Sequence, residues 1–133
     1  MVDSIVIIPT YNEKENIESI IRKVFSLSDD FHLLIVDDGS PDGTATIVRT
    51  LQQEFEGQLF IEERNGKQGL GTAYIHGFRW CLARDYEYIF EMDADFSHNP
   101  EDLPRLRQAC LEGADVAVGS RYITGVNVVN WPM

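Results

Sequence analysis

Short runs of branched apolar residues alternate along this chain with segments in which apolar positions recur every three or four residues. The run at residues 4–9 has the length and β-branched content of a buried strand. Asn12 follows and is expected to cap a helix, with Glu15 as its capping-box partner. Ile17, Ile20, Ile21, Val24 and Phe25 then recur at helical spacing and define one buried face. A second strand is expected over residues 31–37, apolar until it ends in acids. The turn residues Gly39, Ser40, Pro41, Asp42 and Gly43 come next, and Thr44 opens a helix carrying Ile47, Val48, Leu51 and Phe55.

The same alternation continues. Residues 59–62 form a third short strand, and the glycine-rich segment 65–71 leads into a helix reaching about residue 83. A fourth strand, 88–92, runs into Asp93-Ala94-Asp95. Asn99 is expected to cap the next helix, with Pro100 at its first position and Leu103, Leu106 and Cys110 facing inward. Pro104 sits early in that helix, so its regular part is expected to begin near there. A fifth strand is expected over 114–119, and residues 122–133 show no clear period. Strands alternating with helices at this spacing predict an α/β domain, with a mostly parallel, Rossmann-like sheet covered by helices on both faces. Right-handed crossovers then bring the carboxyl ends of the strands to one edge, where ligands bind.

At 133 residues the chain is one domain's worth of material, 1–133, with enough length for a proper core. Its 44% apolar and 25% charged composition excludes a disordered tail or a collagen-like repeat. Acids outnumber bases 22 to 11, for a net charge of −11, and no stretch gathers Lys and Arg into a stripe. Nucleic acid is therefore not an expected partner. Cys81 and Cys110 have neither CxxC nor zinc-site spacing, and they read as two buried thiols in a reducing compartment. No secretory signal opens the chain and no apolar run is long enough to span a membrane, so a cytoplasmic or peripheral location is expected.

Reading off the strand ends gives a constellation. Pro9, Tyr11 and Glu13 follow the first strand, Asp37 and Asp38 the second, Asp93 and Asp95 the fourth, and Arg121 the fifth. Arg121 is the one cation this reading brings to the edge, suited to holding a diphosphate bidentately. Five acids this close repel one another unless a cation sits between them. In Asp93-Ala94-Asp95 the period-two alternation of a strand end points both carboxylates the same way, and oxygen-only ligands suit Mg²⁺ or Mn²⁺. Tyr11 is suited to stacking on a base or to packing as a half-buried aromatic.

Residues 64–72 look superficially like a phosphate-binding P-loop. Gln68, however, follows Gly66-Lys67 where Ser or Thr would bind Mg²⁺. What remains is a loop opening a helix, whose first amides and Lys67 are candidates to face an anion. His32, His76 and His98 share no ligand spacing.

Five blocks, in unbroken order, carry a family resemblance. They are residues 6–13 (VIIPTYNE), 36–44 (VDDGSPDGT), 67–74 (KQGLGTAY), 92–100 (MDADFSHNP) and 119–122 (GSRY). The chain resembles the family 2 glycosyltransferases of the GT-A fold and, within them, the enzymes that mannosylate dolichyl or polyprenyl phosphate. The resemblance implies a GDP-mannose site lined by Pro9, Tyr11, Glu13, Val36 and Asp38. Asp93, Ala94 and Asp95 would meet the diphosphate and its metal, Mg²⁺ or Mn²⁺, and Arg121 a phosphate. It implies inverting transfer of mannose to a polyprenyl (dolichyl) phosphate, with Asp93, Asp95 and Arg121 as the catalytic set and Asp93 and Asp95 as metal ligands. Enzymes of this kind continue past residues 130–132 into a basic, membrane-facing part. The chain therefore reads as a donor-binding part whose exposed apolar surface is expected to favour a homodimer, and the longer enzyme as peripheral to the cytoplasmic face of a membrane. A related family 2 enzyme using UDP-glucose is the alternative. A receiver-like signalling domain fits less well, because its acid pair should end the first strand, whereas Asp37-Asp38 ends the second.

Overall fold

In the computed structural model, which describes residues 2–27, 30–66, 69–94, 99–112, 116–118 and 127–130, the first strand, β1 (Ser4–Thr10), lies inside a six-stranded sheet. β2 (His32–Asp37) and β4 (Tyr88–Glu91) flank it, both parallel to it, and β3 (Leu59–Glu63) pairs parallel with β2. The far side is completed by β5 (Val116–Val118) and β6 (Asn127–Asn130), in the order β3-β2-β1-β4-β6-β5. β6 is antiparallel to both β4 and β5. It therefore turns β5 back to the direction of β4, so the ends of β1 to β5 still share one edge.

The period-two alternation of the central strands sorts two cores. Val6 and Ile8 of β1, with Leu33 and Ile35 of β2, face α1 (Ile17–Phe25), α2 (Thr44–Glu54) and α4 (Leu103–Leu111). Ile5, Ile7, Leu34 and Val36 face α3 (Leu70–Leu82) on the other side. These strand residues are all fully buried, as expected of a parallel sheet covered on both faces. Contact on the α3 side is close because position 77 carries no side chain. A Cβ at Gly77 would lie 2.7 Å from Ile7 Cγ2. Both cysteines are buried thiols outside any disulfide, as the sequence indicates. Burial pushes the Cys81 thiol up to about 12.

The expected elements form, with two differences, at Asn12 and at β6. Asn12 does not cap α1: it sits at φ 56°, with its amide held by Ser40 Oγ, and the helix begins four residues later, after Asn16. Its left-handed backbone departs from the extended dihedrals typical of a side-chain cap. The last helix meets its expectation: Asn99 caps a 3₁₀ turn, Pro100–Asp102, and the α-helix proper begins at Leu103, beside Pro104. β6 falls in the stretch that shows no period, since four residues are too few to reveal one.

Candidate active site

The shared carboxyl edge is assembled from the segments that follow β1, β2, β3 and β4. The first leaves β1 through Tyr11, Asn12, Glu13 and Lys14, a stretch with no regular hydrogen bonding of its own. The loop between β2 and α2 supplies it. Ser40 Oγ accepts from the Asn12 amide at 2.9 Å, Thr44 Oγ1 from the Glu13 amide at 3.0 Å, and Asp42 Oδ2 from the Lys14 amide at 3.2 Å. Three successive amides are thereby satisfied by three side chains of Ser-Pro-Asp-Gly-Thr, so that turn cluster acts as a mould for the segment carrying Tyr11 and Glu13. Asp42 is itself fixed: its Oδ1 accepts from the Thr44 amide and hydroxyl. Burial opposes the Asp42 carboxylate, but the bonds from Thr44 and Lys14 outweigh it and hold the carboxyl below its ordinary value.

The two acids ending β2 have separate partners. Asp37 accepts from the Thr10 hydroxyl at 2.7 Å and from the Ser40 amide and hydroxyl at 2.9 and 2.7 Å. Asp38 is gripped by Arg64, with Nε to Oδ1 at 2.6 Å and Nη2 to Oδ2 at 2.9 Å, both side chains only 7% exposed. Arg64 corrects the expectation that Arg121 is the one cation at this edge. The strand-end rule that picks out the acids also reaches Arg64, the first residue after β3, although in the sequence it reads as the start of the glycine-rich segment.

At the end of β4, Asp93 accepts from the Tyr74 hydroxyl of α3 at 3.0 Å. Tyr74 is a second residue that sequence reasoning did not single out, since its helical position reads as core. The Glu91 carboxyl, two residues back, is pushed up by burial and then by the nearby Asp93 charge. Negative charge thus accumulates where β4 ends, and the oxygen-only donors there suit a hard divalent cation. Among the described residues no three acidic, histidine or cysteine side chains gather as a metal site. Of the acids that are described, Asp37 takes its bonds from Thr10 and Ser40, Asp38 from Arg64, and Asp93 from Tyr74.

Of the other expected site residues, Pro9 and Val36 are register partners across β1 and β2. Val36 is fully buried, so its backbone is what it offers the edge. Tyr11 stands 36% exposed just past β1, while Asp38 and Ala94 are buried. Glu13 is half-buried beside Thr44. Asp95, Arg121, Lys67 and His98 lie outside the described residues. His76 meets Glu62 at 3.1 Å and His32 meets the Tyr86 hydroxyl at 2.6 Å.

Comparison with known proteins agrees with this architecture. The chain is 49% identical over 129 residues to polyprenol monophosphomannose synthase of Mycolicibacterium smegmatis, covering 97% of this chain and 49% of that protein. It is 46% identical over 126 residues to the undecaprenyl-phosphate mannosyltransferase of Micrococcus luteus, covering 95% and 51%. The chain therefore spans about half the length of the curated relatives it matches. Among solved structures, a mannosyltransferase from Pyrobaculum calidifontis, in complex with GDP-Man and Mn²⁺, superposes with a TM-score of 0.79 at 18% identity. That match covers 96% of this chain and 44% of the other and establishes a shared GT-A-like fold. Residues 5–133 match the family model described as Glycosyl transferase family 2, and with the edge and its loops in place the chain belongs to that family.

Proposed function

We propose that this chain provides the donor-binding part of an enzyme that moves mannose from GDP-mannose to a polyprenyl phosphate, with inversion at the sugar. The observation that carries the reading is the 49% identity to a polyprenol monophosphomannose synthase over 129 residues, 97% of this chain. The β1 loop, held by Ser40, Asp42 and Thr44, would receive the nucleotide through Pro9, Tyr11 and Glu13, with Val36 and Asp38 beneath. Asp93, Ala94 and Asp95 would meet the diphosphate, and Arg121 a phosphate. Asp93 and Asp95 would hold Mg²⁺ or Mn²⁺, which when bound neutralises the charge developing on the leaving diphosphate.

A phosphate acceptor is already anionic at neutral pH, so no side chain need remove a proton from it. The work left to the protein is alignment of acceptor oxygen, anomeric carbon and leaving oxygen. A sugar hydroxyl acceptor would instead require a positioned carboxylate base. The phosphate acceptor is the one that the likeness to a polyprenol monophosphomannose synthase supports. Such a lipid acceptor puts the longer enzyme at a membrane surface, as a peripheral protein; among the described residues no helix is long and apolar enough to cross one.

Thermal unfolding with Mn²⁺ and either GDP-mannose or UDP-glucose tests the reading. Ligand at a hundred times its dissociation constant adds about 2.7 kcal/mol of stability. A metal-dependent rise in melting temperature with GDP-mannose alone is expected. A rise with UDP-glucose alone would overturn the donor assignment.

A further inference from the structure

Arg64 does more than neutralise Asp38. Besides its fork onto that carboxylate, its Nη1 donates to Thr72 Oγ1 at 3.1 Å and its Nη2 reaches the Gly69 carbonyl at 3.4 Å. Its own amide donates to the Asp37 carbonyl at 2.7 Å. One guanidinium thus joins the end of β2, the end of β3 and the first turn of α3. The backbone at this junction is close-packed as well. Gly39 has φ 71°, and a Cβ there would lie 3.0 Å from the Gly66 amide nitrogen and 3.3 Å from the Arg64 carbonyl oxygen. The β2–α2 loop and the glycine-rich segment therefore meet at main-chain distance, with Arg64 as the side chain that ties them.

We propose that Arg64 is a positioning residue for donor recognition. It sets the plane of the Asp38 carboxylate and ties the glycine-rich segment to it, so that the edge meets the base of a purine nucleoside diphosphate as one rigid surface. The inference rests on the nucleotide-sugar reading above. Guanine presents two adjacent N–H donors on one edge, a match for carboxylate geometry, whereas uracil presents one. A guanidinium fork takes two of a carboxylate's roughly four acceptor sites and thereby fixes its orientation. Lysine, a point charge on a flexible stem, keeps the charge and loses that orientation.

Titration calorimetry of GDP and UDP, each with Mn²⁺, on the unaltered chain, Arg64→Lys and Thr72→Val separates the possibilities. The unaltered chain is expected to prefer GDP. In Arg64→Lys, GDP affinity should fall about tenfold or more and the preference over UDP should collapse; Thr72→Val should move both in the same direction by less. A folded Arg64→Lys that keeps the GDP-to-UDP ratio, even at a lower melting temperature, overturns the inference and leaves the donor reading intact. Should Arg64→Lys fail to fold, an unchanged ratio in Thr72→Val overturns it instead. An unaltered chain that binds UDP as well as GDP, or neither, overturns the donor reading and this inference together.

Discussion

At the carboxyl end of the sheet Arg64 grips Asp38 with two nitrogens, and at the amino end Arg107 of α4 grips Asp3 in the same way, with Nε to Oδ1 at 3.2 Å and Nη2 to Oδ2 at 2.8 Å. The chemistry is identical; the surroundings are not. Arg64 and Asp38 are each 7% exposed, whereas Arg107 and Asp3 are 22% and 30% exposed. Around the first pair the backbone is irregular and held by side chains, with positive φ at Asn12, Gly39, Gly43, Gly66 and Gly69. Around the second it is regular: the Asp3 carbonyl accepts the Glu87 and Tyr88 amides as β4 begins. The amino-end pair fastens a helix to elements that are already ordered. The carboxyl-end pair joins loops that have no regular backbone ladder to hold them, which is the arrangement expected where a ligand must be received without further ordering.

The contrast is most exposed to test at Asp38. Asp38→Ala leaves the Arg64 guanidinium buried without its partner and should cost about 3–5 kcal/mol in urea unfolding. A loss below 1 kcal/mol would show that the two ends are alike. Thr44→Val keeps the shape but strips the acceptor from the Glu13 amide, and should cost about 1–3 kcal/mol by the same measurement. A loss confined to a few tenths would mean the β1 loop holds its form unaided. Smallest of the three is Asp3→Asn, expected to cost about 1 kcal/mol or less because solvent screens that pair.

The last variant also carries a pH signature. Burial works against the charged Asp3, but hydrogen bonds from Arg107 and Ser4 outweigh it, so the folded carboxyl lies below its ordinary value. Its contribution is therefore complete above the unfolded pKa of about 3.9 and is lost as pH falls through the folded value. The stability gap between the unaltered protein and Asp3→Asn should be constant near neutrality and close in the acid range. A gap that widened on acidification would contradict the assignment.

The parallel half of the fold was legible because each central strand is a continuous apolar run and each helix repeats its apolar positions. Those two signals come from burial alone. Family membership was legible in the loops, since Asp-Asp-Gly-Ser-Pro-Asp-Gly-Thr and Asp-Ala-Asp keep their spacing whatever the surroundings. The partners inside the site were not legible. Asn12 has the composition of a cap, and only the approach of Ser40, twenty-eight positions away, decides that its amide is taken elsewhere. Arg64 was visible as a residue, but its burial on Asp38 depends on how closely two loops meet. Composition does not encode such a distance.

The placement of β6 has a consequence for how the chain is made. β3, β2, β1 and β4 are drawn from residues 4–91, but the neighbour that covers the outer side of β4 comes from residues 127–130. During synthesis, at about 5–20 residues per second, roughly 2–7 s separate the two. Through that interval β4 is an edge strand with unpaired amides and carbonyls, open to any other extended segment nearby. The nascent protein is thus open to mispairing along β4, the strand that leads into Asp93, until residues 127–130 arrive.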